Sequence, residues 1–183
     1  MKRAEALSLV KQHVKNKNLI KHMLAVEAVM GALAPHFDGD PELWRLAGLL
    51  HDIDYDQTFD KPEEHSKLGA QMLAELNLPA ELVNAVRAHN EIHGFERTTA
   101  MDKALYCSDP VTGLIVAGAL IHPSKKLAAI DKDFILNRFN EKSFARGANR
   151  QTISACSELG LSLEDFVSIA LEAMQESASE LGL

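Results

Sequence analysis

Apolar residues recur at helical spacing along almost the whole chain, and no stretch alternates apolar and polar residues as a half-buried strand would. Leu19, Met23, Val26, Met30, Leu33 and Phe37 follow one another at steps of four and three, one face of a long helix. A chain with this single period buries helix against helix, so the fold is expected to be all-α. With 183 residues it has the length of one domain, and its core needs no disulfide staples.

Capping residues punctuate the helices. Asp40 precedes Pro41 and Glu42, a helix start whose apolar residues Leu43, Leu46, Ala47 and Leu50 lead to an end near His51. The polar stretch from Asp52 to Lys61 reads as a loop outside the core. Pro62 is expected to open a helix with Leu68, Met72 and Leu76 inward, and Pro79 another with Leu82 and Val86 inward. Thr99 with Asp102, and Ser162 with Asp165, have the spacing of capping boxes. Pro110 is expected to kink or interrupt the helix that Thr99 opens.

Charge and cysteines limit the class of function. Nineteen Lys and Arg against 26 Asp and Glu leave a net charge of −7. Such a balance argues against broad electrostatic binding, so no nucleic-acid polymer is expected as a partner. Two cysteines, Cys107 and Cys156, fit a reducing compartment. The opening MKRAEALSLVKQHVKNKN has no secretory apolar core, and the longest apolar run, Gly113 to Ile121, is about half a membrane span. The expectation is a cytoplasmic protein without membrane contact, and a homodimer is open.

The histidines stand where apolar residues should. His22 lies three, four and seven residues from Leu19, Val26 and Val29, and His51 with Asp52 ends an apolar helix. His65 continues the Leu68 stripe, His89 the Leu82 stripe, and Asp109 follows Leu105 by four. Five helices or helix ends thus each turn a His or Asp inward. Burying such groups unpartnered costs several kcal/mol apiece, and one metal ion answers several of these costs together. Imidazole and carboxylate suit Mn, Fe, Co, Ni or Zn.

In order, His22, the His51-Asp52 doublet and Asp109 resemble the metal motif of the HD superfamily of metal-dependent phosphohydrolases. The strings HMLAVEAVM, LAGLLHDIDYD, EEHSKLGAQML, AVRAHNE and YCSDPVTGLI are similar to that family's helices. The resemblance implies one HD-type domain over residues 1–183, with a motif-bearing core at about 18–121 and C-terminal helices at 122–183. It implies that His22, His51, Asp52 and Asp109 hold a first divalent ion. His65 and His89 resemble the added histidines of members that hold two. The His89-Asn90-Glu91 string is similar to the cyclic-dinucleotide phosphodiesterase branch, but the GYP signature and the lysine after the doublet are absent.

The implied reaction is attack of metal-activated water on a small phosphomonoester or a nucleotide-type phosphodiester. Asp52 is expected as ligand and local base, and Asp54, with Asp56 beside it, as a group that orients water or protonates the leaving group. Nucleotidase-like members place a glutamate where this chain has Tyr55, which leaves the acid open. Lys125 and Lys126, in a segment similar to one at the site mouth of related hydrolases, are expected to bind phosphate, with Arg146 and Arg150 as further candidates. Glu27 on an apolar face either supports a ligating histidine or pairs with Arg45 or Arg87. Cys107 reads as a small core residue. A di-iron HD-fold oxygenase and a non-catalytic metal-containing sensor are the alternatives.

Overall fold

Residues 1–183 are described by a computed structural model, in which every regular element is helical. The longer helices are α1 (Arg3–His13), α2 (Lys17–Leu33), α3 (Pro41–Leu50), α5 (Lys67–Glu75), α6 (Ala80–Ala88), α7 (Ala100–Ile121), α8 (Lys132–Asn140) and α10 (Leu163–Glu176). Three short ones, α4 (Tyr55–Thr58), α9 (Arg150–Ser154) and α11 (Ala178–Leu181), complete the chain with four 3₁₀ turns. The all-α expectation holds.

Side-chain caps fix the starts. Asn16 accepts from the amides of Asn18 and Leu19, Asp40 from Glu42, and Thr99 and Asp102 close a reciprocal box on α7. α2 and α3 pack against each other at Gly48. A Cβ there would stand 2.7 Å from the Val26 carbonyl oxygen and 2.8 Å from the Glu27 amide nitrogen. α7 runs through the middle of the fold, against α2, α6, α8, α9 and α10. By length and composition α7 could cross a membrane; here it is a buried core helix. Its path continues unbroken through Pro110, so the expected interruption does not occur. Packing on several sides outweighs the roughly 3 kcal/mol that a mid-helix proline costs.

Two further expectations are corrected. The helix after Pro62 begins only at Lys67, and its buried stripe is Gly69, Ala70 and Leu73, while Leu76 is exposed. The stretch after His51 is not outside the core: Asp52, Ile53, Asp54 and Thr58 are all buried. The short turns that follow α3 carry these residues inward, between α2, α5 and α6.

Candidate metal centre

Five elements deliver six side chains to one point. α2 brings His22, the end of α3 brings His51 and Asp52, the turn before α5 brings His65, the end of α6 brings His89, and the middle of α7 brings Asp109. His22 Nε2 lies 3.2 Å from His51 Nε2 and 3.1 Å from Asp109 Oδ1. Asp52 stands between two pairs of rings. Its Oδ2 is 3.4 Å from His51 Nε2 and 3.8 Å from His22 Nε2, and its Oδ1 is 3.3 Å from His65 Nε2 and 3.6 Å from His89 Nε2.

Each ring is held by its other nitrogen. His51 Nδ1 donates to the Gly48 carbonyl at 2.8 Å and His89 Nδ1 to the Val86 carbonyl at 2.6 Å. His65 Nδ1 donates to Asp54 Oδ1 at 3.0 Å. The Thr112 hydroxyl gives its proton to the Asp109 carbonyl, so its oxygen accepts from His22 Nδ1 at 3.1 Å. With Nδ1 carrying the proton, the neutral ring presents a lone pair on Nε2, and all four Nε2 atoms point to the same place. His89 Nε2 is buried and has no hydrogen-bond partner.

This donor set fits divalent ions. Ligand atoms bound about 2.1 Å from one ion lie roughly 3.0 to 3.4 Å apart; four of the distances here fall between 3.1 and 3.4 Å, and the two longer ones, from Asp52 to His89 and to His22, are 3.6 and 3.8 Å. Ligand atoms of His22, His51 and Asp109 all lie within 4.8 Å of one another, as do those of His51, Asp52 and His89. The buried, unpartnered Nε2 of His89 is the atom that a second ion would satisfy.

Without an ion the charges adjust to one another. Burial alone would push the His51 imidazole down, but the Asp52 and Asp109 carboxylates outweigh it and raise its pKa to about 9. His65 is raised against burial by Asp54 and Asp52. Burial would lift the Asp52 and Asp109 carboxyls, yet the facing imidazoles hold both below the usual range. Since His51 is raised in the folded chain, its contribution to stability is complete below about pH 6.5 and is lost as pH rises through about 9. The carboxylates act at the other end, losing theirs only in acid. Chelator-stripped protein is therefore expected to melt lower at pH 9.5 than at 6.5, by an amount worth roughly 3 kcal/mol at most. A pH series of thermal melts reads this directly, and a flat profile would contradict it.

Beside the centre is a cleft of about 260 Å³, lined by His65, His89, Asn90, Glu91, Tyr106, Asp109, Asn149 and Thr152 among others. No lysine or arginine lines it, and its carboxylates are Glu91 and Asp109. The Tyr106 hydroxyl donates to Glu91 at 2.7 Å, and the Arg97 guanidinium lies 3.7 Å over the Tyr106 ring. Asn149 accepts from the amides of Gln151 and Thr152, which leaves its NH₂ free to donate into the cleft.

Several expected site residues lie elsewhere. Asp54 is fully buried behind His65, where Oδ2 accepts from the amides of Ser66 and Gly69 at 2.8 Å each. It holds the His65 ring and does not line the cleft, where a proton donor to the leaving group would stand. Ser66 takes φ +70, and the Asp54 bonds together with its own hydroxyl bond to the Arg87 carbonyl hold that strained turn. Asp56 accepts from the Lys15 amide. Lys125 and Lys126 are exposed on the turn after α7 and do not line the cleft. Arg150 spends its guanidinium on backbone carbonyls, and Glu27 pairs with Arg3, not with Arg45 or Arg87. Cys107 is buried beside Cys156, and that burial pushes its thiol up, away from the reactive thiolate. The sequence assigns no role to Thr112, Asn149 or the Glu91–Tyr106 pair; Glu91, Tyr106 and Thr112 lie inside the motif strings, whereas Asn149 stands outside them.

The family model for the HD domain matches residues 19–122, more than half of the chain. Ribonuclease Y of Campylobacter jejuni (strain 81-176) is 35% identical over 92 residues, covering 50% of this chain and 17% of that protein. Ribonuclease Y of Aliarcobacter butzleri is 36% identical over 92 residues, with the same coverage. Ribonuclease Y of Nitratiruptor sp. is 29% identical over 139 residues, covering 74% of this chain and 26% of its own length. The chain thus spans between about a sixth and a quarter of these relatives. Their name states RNA, a polymer, as what they act on. That finding overturns the expectation that a nucleic-acid polymer is excluded as a partner, because net charge says little about a site whose local sign is set by bound cations.

Proposed function

Since the chain belongs to the HD domain family, a superfamily of metal-dependent phosphohydrolases, we propose that it hydrolyses a phosphodiester of the kind that joins nucleotides. The observation that carries this reading is the set of four Nε2 lone pairs arranged around the two oxygens of Asp52. In it, His22, His51, Asp52 and Asp109 would hold one ion, and His65 and His89, with Asp52 between the two sets, would hold a second. When bound, the ions supply Lewis acidity that polarises a phosphoryl oxygen and acidifies water.

The protein's own groups do the rest. Glu91 and Asp109 put two carboxylates on the cleft wall, so the cations of a loaded histidine-carboxylate set are what would draw a phosphate in. Asp109, with its side chain 36% exposed, lines the cleft and accepts the proton that water gives up. The Asn149 NH₂ donates to the phosphate, and Tyr106 with Thr152 closes the far wall.

Two features favour a diester over a monoester. There is space on two sides of the His22–His89 set: the cleft is lined by His65, His89 and Asp109, and a groove of about 400 Å³ is lined by His22 with Val116, Leu120 and Leu181. A diester carries an organic group on each side of phosphorus and needs both spaces. Next to His65, Tyr55 packs its ring at 5.3 Å, and Phe59 beside it is 76% exposed, flat apolar faces on which a base stacks.

Protein purified anaerobically without chelator is expected to carry about two transition-metal ions per chain by elemental analysis. It is also expected to hydrolyse bis-p-nitrophenyl phosphate with a kcat/KM at least about tenfold above that for p-nitrophenyl phosphate. No metal after reloading, or a faster monoester, would overturn the reading.

A further inference from the structure

The cleft does not end at Asn149. The same residue also lines a recess of about 320 Å³ whose other walls are Lys142, Arg146, Ala148 and Arg150. No acidic side chain lines this recess, in a chain whose net charge is −7. Glu141, the neighbouring carboxylate, is already paired with Arg138 at 2.7 Å.

The recess is built by one side chain. Arg150 Nε donates to the Phe139 carbonyl, Nη1 to those of Ala145 and Ala148, and Nη2 to those of Phe144 and Arg138. Those bonds fold residues 138–149 around the guanidinium and hold Ala145 at φ +44, a conformation that a non-glycine residue adopts only when its surroundings impose it. Because Arg150 is used up in this way, the free cations at the rim are Lys142 and Arg146, both exposed and neither in an ion pair. The acidic cleft and the basic recess therefore lie side by side along one wall.

We propose that Lys142 and Arg146 form a phosphate subsite for the nucleotide next to the one being cleaved. The proposal rests on the phosphodiesterase reading and gives it a direction: the scissile phosphate sits at the histidine centre, and the strand continues past Asn149 to the recess. A substrate with one phosphate leaves the subsite empty; a chain of two or more nucleotides fills both.

The test uses the metal-loaded full chain and a fluorescein-labelled, hydrolysis-resistant 2′-O-methyl RNA hexamer, with affinity read by anisotropy across a salt series. The Lys142→Ala/Arg146→Ala protein is expected to bind at least about tenfold more weakly, with a salt slope smaller by roughly 1 to 1.5. The Lys125→Ala/Lys126→Ala protein carries the same change in net charge on a turn outside the recess, and is expected to bind within about twofold of the original. Thermal melts verify that both variants fold. Equal losses in the two double variants would overturn the subsite, as would failure of the unsubstituted protein to bind the hexamer. Hydrolysis of bis-p-nitrophenyl phosphate by the unsubstituted protein is scored separately. Hydrolysis without hexamer binding sinks the subsite alone; hexamer binding lost on Lys142 and Arg146 substitution, with no hydrolysis, sinks the catalytic reading and supports the subsite.

Discussion

The Asp52→Asn protein is expected to fold, to hold neither ion tightly, and to lose phosphodiester hydrolysis by at least about a thousandfold, equivalent to about 4 kcal/mol of transition-state stabilisation. Asp52 is the one carboxylate whose two oxygens face both pairs of imidazoles. An amide keeps the shape but offers one weak oxygen and no charge. Folding survives because the backbone around residue 52 is held by α3 and the turns after it, and because His51 keeps its bond to the Gly48 carbonyl. The metal-free variant also reports on charge: without the Asp52 carboxylate, His51 loses the main influence that raises its pKa to about 9. Elemental analysis and circular dichroism on one preparation settle the matter, and retention of two ions per chain would remove Asp52 from the centre.

Gly48→Ala is expected to damage the same centre without touching a ligand. The new Cβ would meet the Val26 carbonyl and the Glu27 amide at under 3 Å, and both are backbone atoms of α2 that cannot rotate away. α3 must back off, at a cost of about 1 to 3 kcal/mol, or some 2 to 10 °C in melting temperature for a chain of this size. His51, three residues on, moves with it, while His22 stays with α2, so the 3.2 Å approach of their Nε2 atoms opens. Metal affinity therefore falls more than stability alone requires. Gly113→Ala is the contrast, since nothing lies within 4 Å of its Cβ and α7 gains a better helix former. A chelator competition on the two variants would show the difference, and equal affinities would mean that the helix spacing does not set the site.

The part of the site written on helices was legible in the sequence. His22, His51, His89 and Asp109 each break an apolar stripe, and a period of 3.6 turns that break into a direction in space. The caps at Thr99 and Ser162 were legible for a similar reason, being complete within four residues; the reciprocal box closes at Thr99, while at Ser162 the hydroxyl accepts from the Asp165 amide and donates to its carboxylate. What lay outside was set by contacts between distant segments. Asp54 reads as a loop charge until the strained turn at Ser66 brings two amides, from 12 and 15 residues away, onto its carboxylate. Glu27 is matched with Arg3, 24 residues distant, across a helix pair that periodicity does not orient. Lys125 and Lys126 had the right charge, but a side chain after a helix end carries no periodic signal about where it faces. Pro110 does not interrupt α7, because propensity is local, whereas α7 is packed on several sides.

The four imidazoles are anchored in two different ways. His51 and His89 donate to carbonyls one turn back in their own helices, and no substitution takes a carbonyl away. His22 depends on the hydroxyl of Thr112 and His65 on the carboxylate of Asp54, and either can vanish through a single codon change. Sequence drift thus has an uneven grip on this centre. One imidazole in each half is fixed by the helix itself, and the other is open to retuning from a position that binds no ion. Descendants of this chain could change their preferred metal while every ligand stayed the same, and the trace of that history would lie at residues 54 and 112.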